Sequence, residues 1–214
     1  MPMKKRTRRP ARKLPKQRKR ATPKRAPAAE ASKTTIRRLR GELTRARRQI
    51  EELQASADTD FLLGIPNRRG FERELGRALA YIKRYRASGA LVVLDVDRLK
   101  PINDAFGHAA GDQVLKAIVA VLTSQVRSSD VVGRLGGDEF ALLLWNLSAT
   151  DAKAKAAALE EAIDRLTFRF QGSTITGGAS AGVAMLGSHA EPGRALEAAD
   201  SAMYLRKAQR RHER

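Results

Sequence analysis

The 214-residue chain contains no cysteine, so it can build neither a disulfide framework nor a thiolate metal site. Aromatic residues are scarce at 5%, and residues 1 to 31 have none. That removes the stacking platforms needed to read single-stranded bases. No apolar run approaches the ~18 residues of a membrane span. Residues 1 to 28 hold no acid at all. No apolar segment follows this basic start, which argues against a secretory signal. Pro10, Pro15, Pro23 and Pro27 would break the amphipathic helix of a transit peptide. Together these absences point to a soluble, cytoplasmic protein.

Positive charge is abundant, with a formal net charge of +19. Of the 42 Lys and Arg, thirteen fall in residues 1 to 28; the other 29 face all 23 acids, a net of +6. The expectation is a disordered basic tail over 1–31, with too few large apolar residues to fold. It is either a solvated arm or a weak, sequence-independent contact for nucleic acid or an anionic membrane. Over 32–57 the pattern changes. Ile36, Leu39, Leu43, Ala46, Ile50 and Leu53 recur at alternating spacings of three and four, the a/d stripe of a coiled coil. An amphipathic helix packed on its own domain has a similar stripe. The strict 3.5-residue period favours a two-stranded coil and hence a homodimer.

From residue 58 onward the pattern is globular. After a helix at "RRGFERELGRALAYIKRYRAS" come the strand "ALVVLDVD" and a helix beginning at "AAGDQVLK". Two short strands, "DVVGRL" and "EFALLLW", flank the glycine pair of "GRLGGDEFALLLW", residues 133 to 145; then come a helix that Thr150 is expected to cap, the strand "GGASAGVAML" and a last helix. The order from 91 to 186 is βαββαβ, a ferredoxin-like α+β arrangement with helices backing an antiparallel sheet. Gly136 and Gly137 read as a tight reversal that exploits positive φ.

That reversal carries Asp138 and Glu139. In a ferredoxin-like sheet the hairpin tip comes near the end of "VVLDVD" and so near Asp95. Crowded carboxylates need a cation, and oxygen-only ligands suit a hard ion such as Mg²⁺, which keeps phosphate oxygens as partners. Asp97 shares a strand face with Asp95 or simply ends the strand.

Five blocks in order carry a resemblance: "DFLLGIPNRRGF", "DVDRLKPINDAFGHAAGD", "RLGGDEF", "SAGVA" and "ADSAMYLRK". Over residues 58 to 214 the chain closely resembles the GGDEF family of diguanylate cyclases. The resemblance implies condensation of two GTP into cyclic di-GMP with release of two pyrophosphates, by a dimer that its product inhibits. It implies Mg²⁺, with Mn²⁺ as a substitute, held by Asp95, the Val96 carbonyl and Asp138. Asp138 would also take the proton of the 3′-hydroxyl, Glu139 would support the metal site, and Lys100 would offset charge on the phosphoryl group. Asn103, Asp112 and His108 match nucleotide-binding positions. An amide and a carboxylate suit the guanine edge. Lys207 and Arg211, four apart on one helix face, match phosphate-contacting positions. Arg127 and Asp130 form the RxxD of a product-binding site. Leu63 replaces the usual Thr, and Arg98-Leu99 an aromatic pair; Asp112 argues against use of ATP. A catalytically idle domain that serves as a cyclic di-GMP receptor is the alternative, although such members usually lose the signature that is intact here.

Overall fold

The computed structural model describes backbone elements from Ala26 to Glu213, and side chains over 35–50 and 57–212. The expected tail contact with polyanions falls on residues 1 to 25, outside the described residues. Helix α1 spans Ala26–Ala57, beginning earlier than the expected 32. Pro27 explains the early start: its missing N–H costs nothing in a first turn, and alanines and Glu30 follow as good helix formers. The described residues divide into two units, one ending at Gln49 and one beginning at Ile50.

Within the second unit the elements run α2 (Arg68–Tyr85), β1 (Gly89–Val96), α3 (Leu99–Phe106), α4 (His108–Ser124), β2 (Val131–Arg134) and β3 (Glu139–Trp145). Next come α5 (Ala149–Asp164), β4 (Thr167–Phe170), β5 (Ser173–Thr176), β6 (Ala179–Leu186) and α6 (Pro192–Glu213). Four strands form one sheet in the order β2-β3-β1-β6, with every neighbouring pair antiparallel. This is the expected βαββαβ arrangement. Two elements lie outside that expectation: α3, hidden by Pro101 and a polar "NDAF" run, and the small β4–β5 hairpin, paired only with itself.

Strand β1 is central and buried along its whole length, because both of its faces are covered. Val92, Leu94 and Val96 pack with α3, α4 and α5 through Ile102, Val114, Ile118 and Leu159. Leu91 and Val93 pack with α2 and α6 through Phe71, Leu75, Ala199 and Met203. Helix α6 lies unusually close to β6. A Cβ on Gly182 would stand 2.1 Å from the Ala199 carbonyl oxygen and 2.1 Å from the Met203 nitrogen. Only glycine permits that approach.

Two local expectations need correction. Ser148, and not Thr150, caps α5: its hydroxyl accepts from the Asp151 N–H at 3.1 Å. Thr150 already lies inside the first turn. Nor does the Gly136-Gly137 pair use positive φ. A Cβ on Gly136 would stand 2.9 Å from a Glu139 carboxylate oxygen, whereas one on Gly137 would meet nothing within 4 Å. The tip is fastened by Arg134, which donates to the Gly136 carbonyl at 2.9 Å, the Gly137 carbonyl at 2.7 Å and Asp60 at 3.0 Å. Among the described residues, no helix is long and apolar enough to cross a membrane.

Candidate active site

Strand register brings the acids together. Asp95 lies opposite Glu139 on β3 and opposite Ser180 on β6. One residue on, the Val96 N–H donates to the Asp138 carbonyl at 2.9 Å, locking the hairpin tip against the end of β1. Asp95 and Glu139 share the sheet face covered by α2 and α6, and each meets a cation from one of those helices. Lys207 Nζ of α6 is 2.5 Å from Asp95 Oδ1. Arg68 of α2 lies 3.6 Å from Glu139 Oε2. Asp97, just past the strand, accepts from the Ser180 hydroxyl at 3.3 Å and lies 3.9 Å from Arg210 Nε of α6.

Burial raises the Asp95 carboxyl above the ordinary carboxylate value. The Lys207 ammonium pulls it back, while the negative charges of Asp138 and Asp97 push it up, and the net direction is upward. Burial, more than the neighbouring acids, sets that direction. Among the described residues, no three acid or histidine side chains stand together as a ready cation cage. The fold does bring oxygen donors near one another at the end of β1: the Val96 N–H is bonded to the Asp138 carbonyl, and the Asp138 charge is felt at Asp95. That chemistry fits a hard divalent cation that completes its shell with water and phosphate oxygens.

Beside the acids opens a cleft of about 440 Å³. Val96, Asp97 and Asp138 form one wall, and Arg98 and Lys100 a second. Lys207 and Arg211 of α6 close it. Arg98 adopts the left-handed region, at φ 64°, immediately before α3. The chain thereby turns sharply out of the sheet, and Leu99, Lys100 and Pro101 of the first turn of α3 belong to the cleft lining. Leu99 is buried in the core beneath.

Asn103, His108 and Asp112 stand next to this cleft without lining it. Asn103 packs onto α4 at Gly111, where a Cβ would come within 2.0 Å of its Oδ1. That Oδ1 is buried and has no hydrogen-bond partner. Asp112, the next residue, is half-buried and His108 is exposed. An orphaned amide oxygen beside a carboxylate is an unsatisfied polar corner at the junction of two helices.

Arg127 and Asp130 lie beyond the far end of β2, a strand whose four residues at ~3.3 Å each span roughly 13 Å. Asp130 already has backbone work: Oδ2 accepts from the Arg127 N–H at 2.9 Å and Oδ1 from the Trp145 N–H at 3.1 Å. The Arg127 side chain is exposed, and with Lys155 it borders a small hollow of about 130 Å³.

Sequence reasoning missed a buried charge network behind the cleft, centred on Glu160 and Arg210. A signal existed. Glu160 falls four residues after Ala156 and three before Ile163, on the apolar stripe of α5. Arg210 falls seven after Met203, on the core face of α6.

A model of the family described as "Diguanylate cyclase, GGDEF domain" matches residues 57–213. This chain belongs to the GGDEF family. Its GGDEF domain is 42% identical over 164 residues to diguanylate cyclase TpbB of Pseudomonas aeruginosa, covering 76% of this chain and 38% of that protein. It is 36% identical over 167 residues to the probable diguanylate cyclase DgcE of Escherichia coli, covering 78% of this chain and 15% of that protein. The chain thus spans well under half the length of these relatives. Among solved structures, the coiled coil and GGDEF domain of DgcB from Caulobacter crescentus, in complex with c-di-GMP, superposes with a TM-score of 0.71 at 25% identity. That match covers 84% of this chain and 95% of DgcB's.

Proposed function

We propose that this GGDEF domain is a diguanylate cyclase that joins two GTP molecules into cyclic di-GMP. The observation that supports the reading is that Asp138 lines one cleft with Lys100, Lys207 and Arg211, while Asp95 is paired to that Lys207. Acids that can hold a divalent cation, set beside cations that can hold phosphates, are what nucleotidyl transfer requires.

In each half-reaction the 3′-hydroxyl of one GTP attacks the α-phosphorus of the other. A P–O bond forms, the bond to the β-phosphate breaks, and pyrophosphate leaves with the electron pair. The hydroxyl proton passes to the Asp138 carboxylate. Lys100 offsets the charge gathering on the phosphoryl oxygens, and Lys207 and Arg211 hold the β- and γ-phosphates. Mg²⁺, or Mn²⁺ in its place, would be held by Asp95, Asp138 and the Val96 carbonyl, and supplies Lewis acidity at the phosphate. Glu139, steadied by Arg68, adds negative charge to that site. The orphaned Asn103 Oδ1 and the Asp112 carboxylate accept from the N–H groups of the guanine edge, with His108 at the rim. Arg127 and Asp130 are the product-binding pair, Arg127 offering its exposed guanidinium to phosphate or guanine.

One domain presents one such site, and the product needs two sites facing each other. The enzyme therefore works as a homodimer, for which the apolar stripe of α1 provides the contact. Purified protein incubated with GTP and Mg²⁺ should yield cyclic di-GMP and two equivalents of pyrophosphate. Tight binding of cyclic di-GMP with no turnover would instead favour an idle receptor domain.

A further inference from the structure

Behind the cleft lies a buried charge network centred on Glu160 and Arg210. Glu160 of α5 is only 4% exposed, yet all its partners sit on other elements. Its Oε1 accepts from the Ala181 N–H of β6 at 2.8 Å. Its Oε2 accepts from Arg206 at 3.0 Å and from Arg210 at 3.3 Å, both on α6. Arg210 continues outward, donating at 2.7 Å to each oxygen of Asp164, with its Nε 3.9 Å from Asp97. Asp164, Glu160 and Asp97 hold the guanidinium charged against the cost of its burial. Arg210 also forms part of the cleft lining, so the network reaches from the back of α5 to the nucleotide cleft.

Helix geometry gives this a consequence. Arg206 and Arg210 are four apart and share one face; Lys207 and Arg211 are four apart on the adjoining face, over the cleft. Clamping the first face fixes the rotation of α6 about its axis, and with it the reach of the second. We infer that Glu160 is a positioning residue for nucleotide binding, acting through Arg206 and Arg210 to set Lys207 and Arg211 against the phosphates. The inference rests on the proposed phosphate role of Lys207 and Arg211.

The test titrates a non-hydrolysable GTP analogue with Mg²⁺ into the full chain by calorimetry. The variants are Glu160→Gln, Glu160→Ala, Lys207→Ala/Arg211→Ala, and that pair combined with Glu160→Ala. Glu160→Ala should weaken the analogue roughly tenfold, below the ~10²-fold that a 1 Å misplacement can cost in catalysis. Glu160→Gln keeps an acceptor for the Ala181 N–H and for one guanidinium, so it should recover part of the affinity. It also decides the matter should the alanine variant not fold. In the Lys207→Ala/Arg211→Ala background, Glu160→Ala should weaken binding no further, since residues acting through one another are non-additive. A purely structural role would lower the melting temperature in both backgrounds and leave affinity unchanged at 25 °C. That result, or a loss that adds fully in the double background, overturns the inference. Unaltered protein that binds no analogue would overturn the cyclase reading and this inference together. Undiminished binding by Lys207→Ala/Arg211→Ala would overturn the phosphate role and this inference, leaving nucleotide binding intact.

Discussion

Replacing Leu39, Leu43 and Ile50 with Asp should make cyclase activity far more dependent on enzyme concentration. In the single chain Ile36, Leu39, Leu43 and Ile50 are 49%, 52%, 52% and 53% exposed. Complete burial of such a side chain contributes about 1.5–3 kcal/mol, so the half still in water represents about 1 kcal/mol each. Two helices present eight of them, or about 8 kcal/mol gross. Association costs at least ~4 kcal/mol in lost rigid-body freedom. The remainder of about 4 kcal/mol corresponds to a Kd near ~1 mM. The coil alone is weak, and contacts between the two loaded cyclase domains must supply the rest. Once those domains meet, the same coil acts as a tether that raises effective concentration to roughly millimolar. Removing six of the eight apolar side chains should therefore shift the activity midpoint at least ~10²-fold upward in enzyme concentration. Helix propensity changes little at exposed sites, by under ~1 kcal/mol per substitution, so circular dichroism should remain helical. The assay is cyclic di-GMP formed per enzyme from nanomolar to high micromolar protein, with sedimentation run alongside. The unaltered protein should gain specific activity with concentration, and the variant should approach it only at the top of the range. Superimposable curves would refute the tether and place dimerisation on another surface.

Asp138→Ala should cut turnover at least ~10²-fold with little change in melting temperature, since the tip adds little to the core; near-normal turnover would sink the assigned chemistry. Arg127→Ala should abolish the flattening of progress curves as product accumulates, while Asp130→Ala should also lose roughly 1–3 kcal/mol of stability, because two backbone N–H groups lose their acceptor. Equal thermal stability of those two variants would contradict the backbone role of Asp130. The raised Asp95 pKa means the folded protein favours the protonated acid, so this group's contribution is most favourable at low pH and is lost as pH rises through the raised value. Asp95→Asn without metal should therefore melt higher than the unaltered protein at pH 7, with the difference shrinking toward pH 4, while activity disappears. Gly182→Ala should destabilise by several kcal/mol, because its methyl would overlap α6 backbone atoms that cannot yield; a melting temperature within 2–3 °C of normal would show that α6 can shift.

Much of this protein is written locally. The apolar spacing of α2 and α4, the continuous run of β1 and the stripe of α1 each follow from neighbours within a few residues, as do the acids at a glycine-bearing reversal. The ordered blocks around "RLGGDEF" then name the family before any coordinate is consulted. Local pattern misjudged what depends on contacts from afar. The reversal at 136 and 137 is held by the Arg134 clasp on its carbonyls, and not by a left-handed backbone. Helix α3 forms from an unpromising polar run because Leu99 and Ile102 bury against the sheet. The pairing of Lys207 with Asp95 spans 112 residues, and the hold of Glu160 on α6 spans 46 and 50. No spacing rule reaches that far. Sequence decides which side chains can hold a cation, a phosphate or a base, because that is their chemistry. Only the packed sheet and its two helix layers decide which of them meet, because burial sets both their distance and the strength of charge between them.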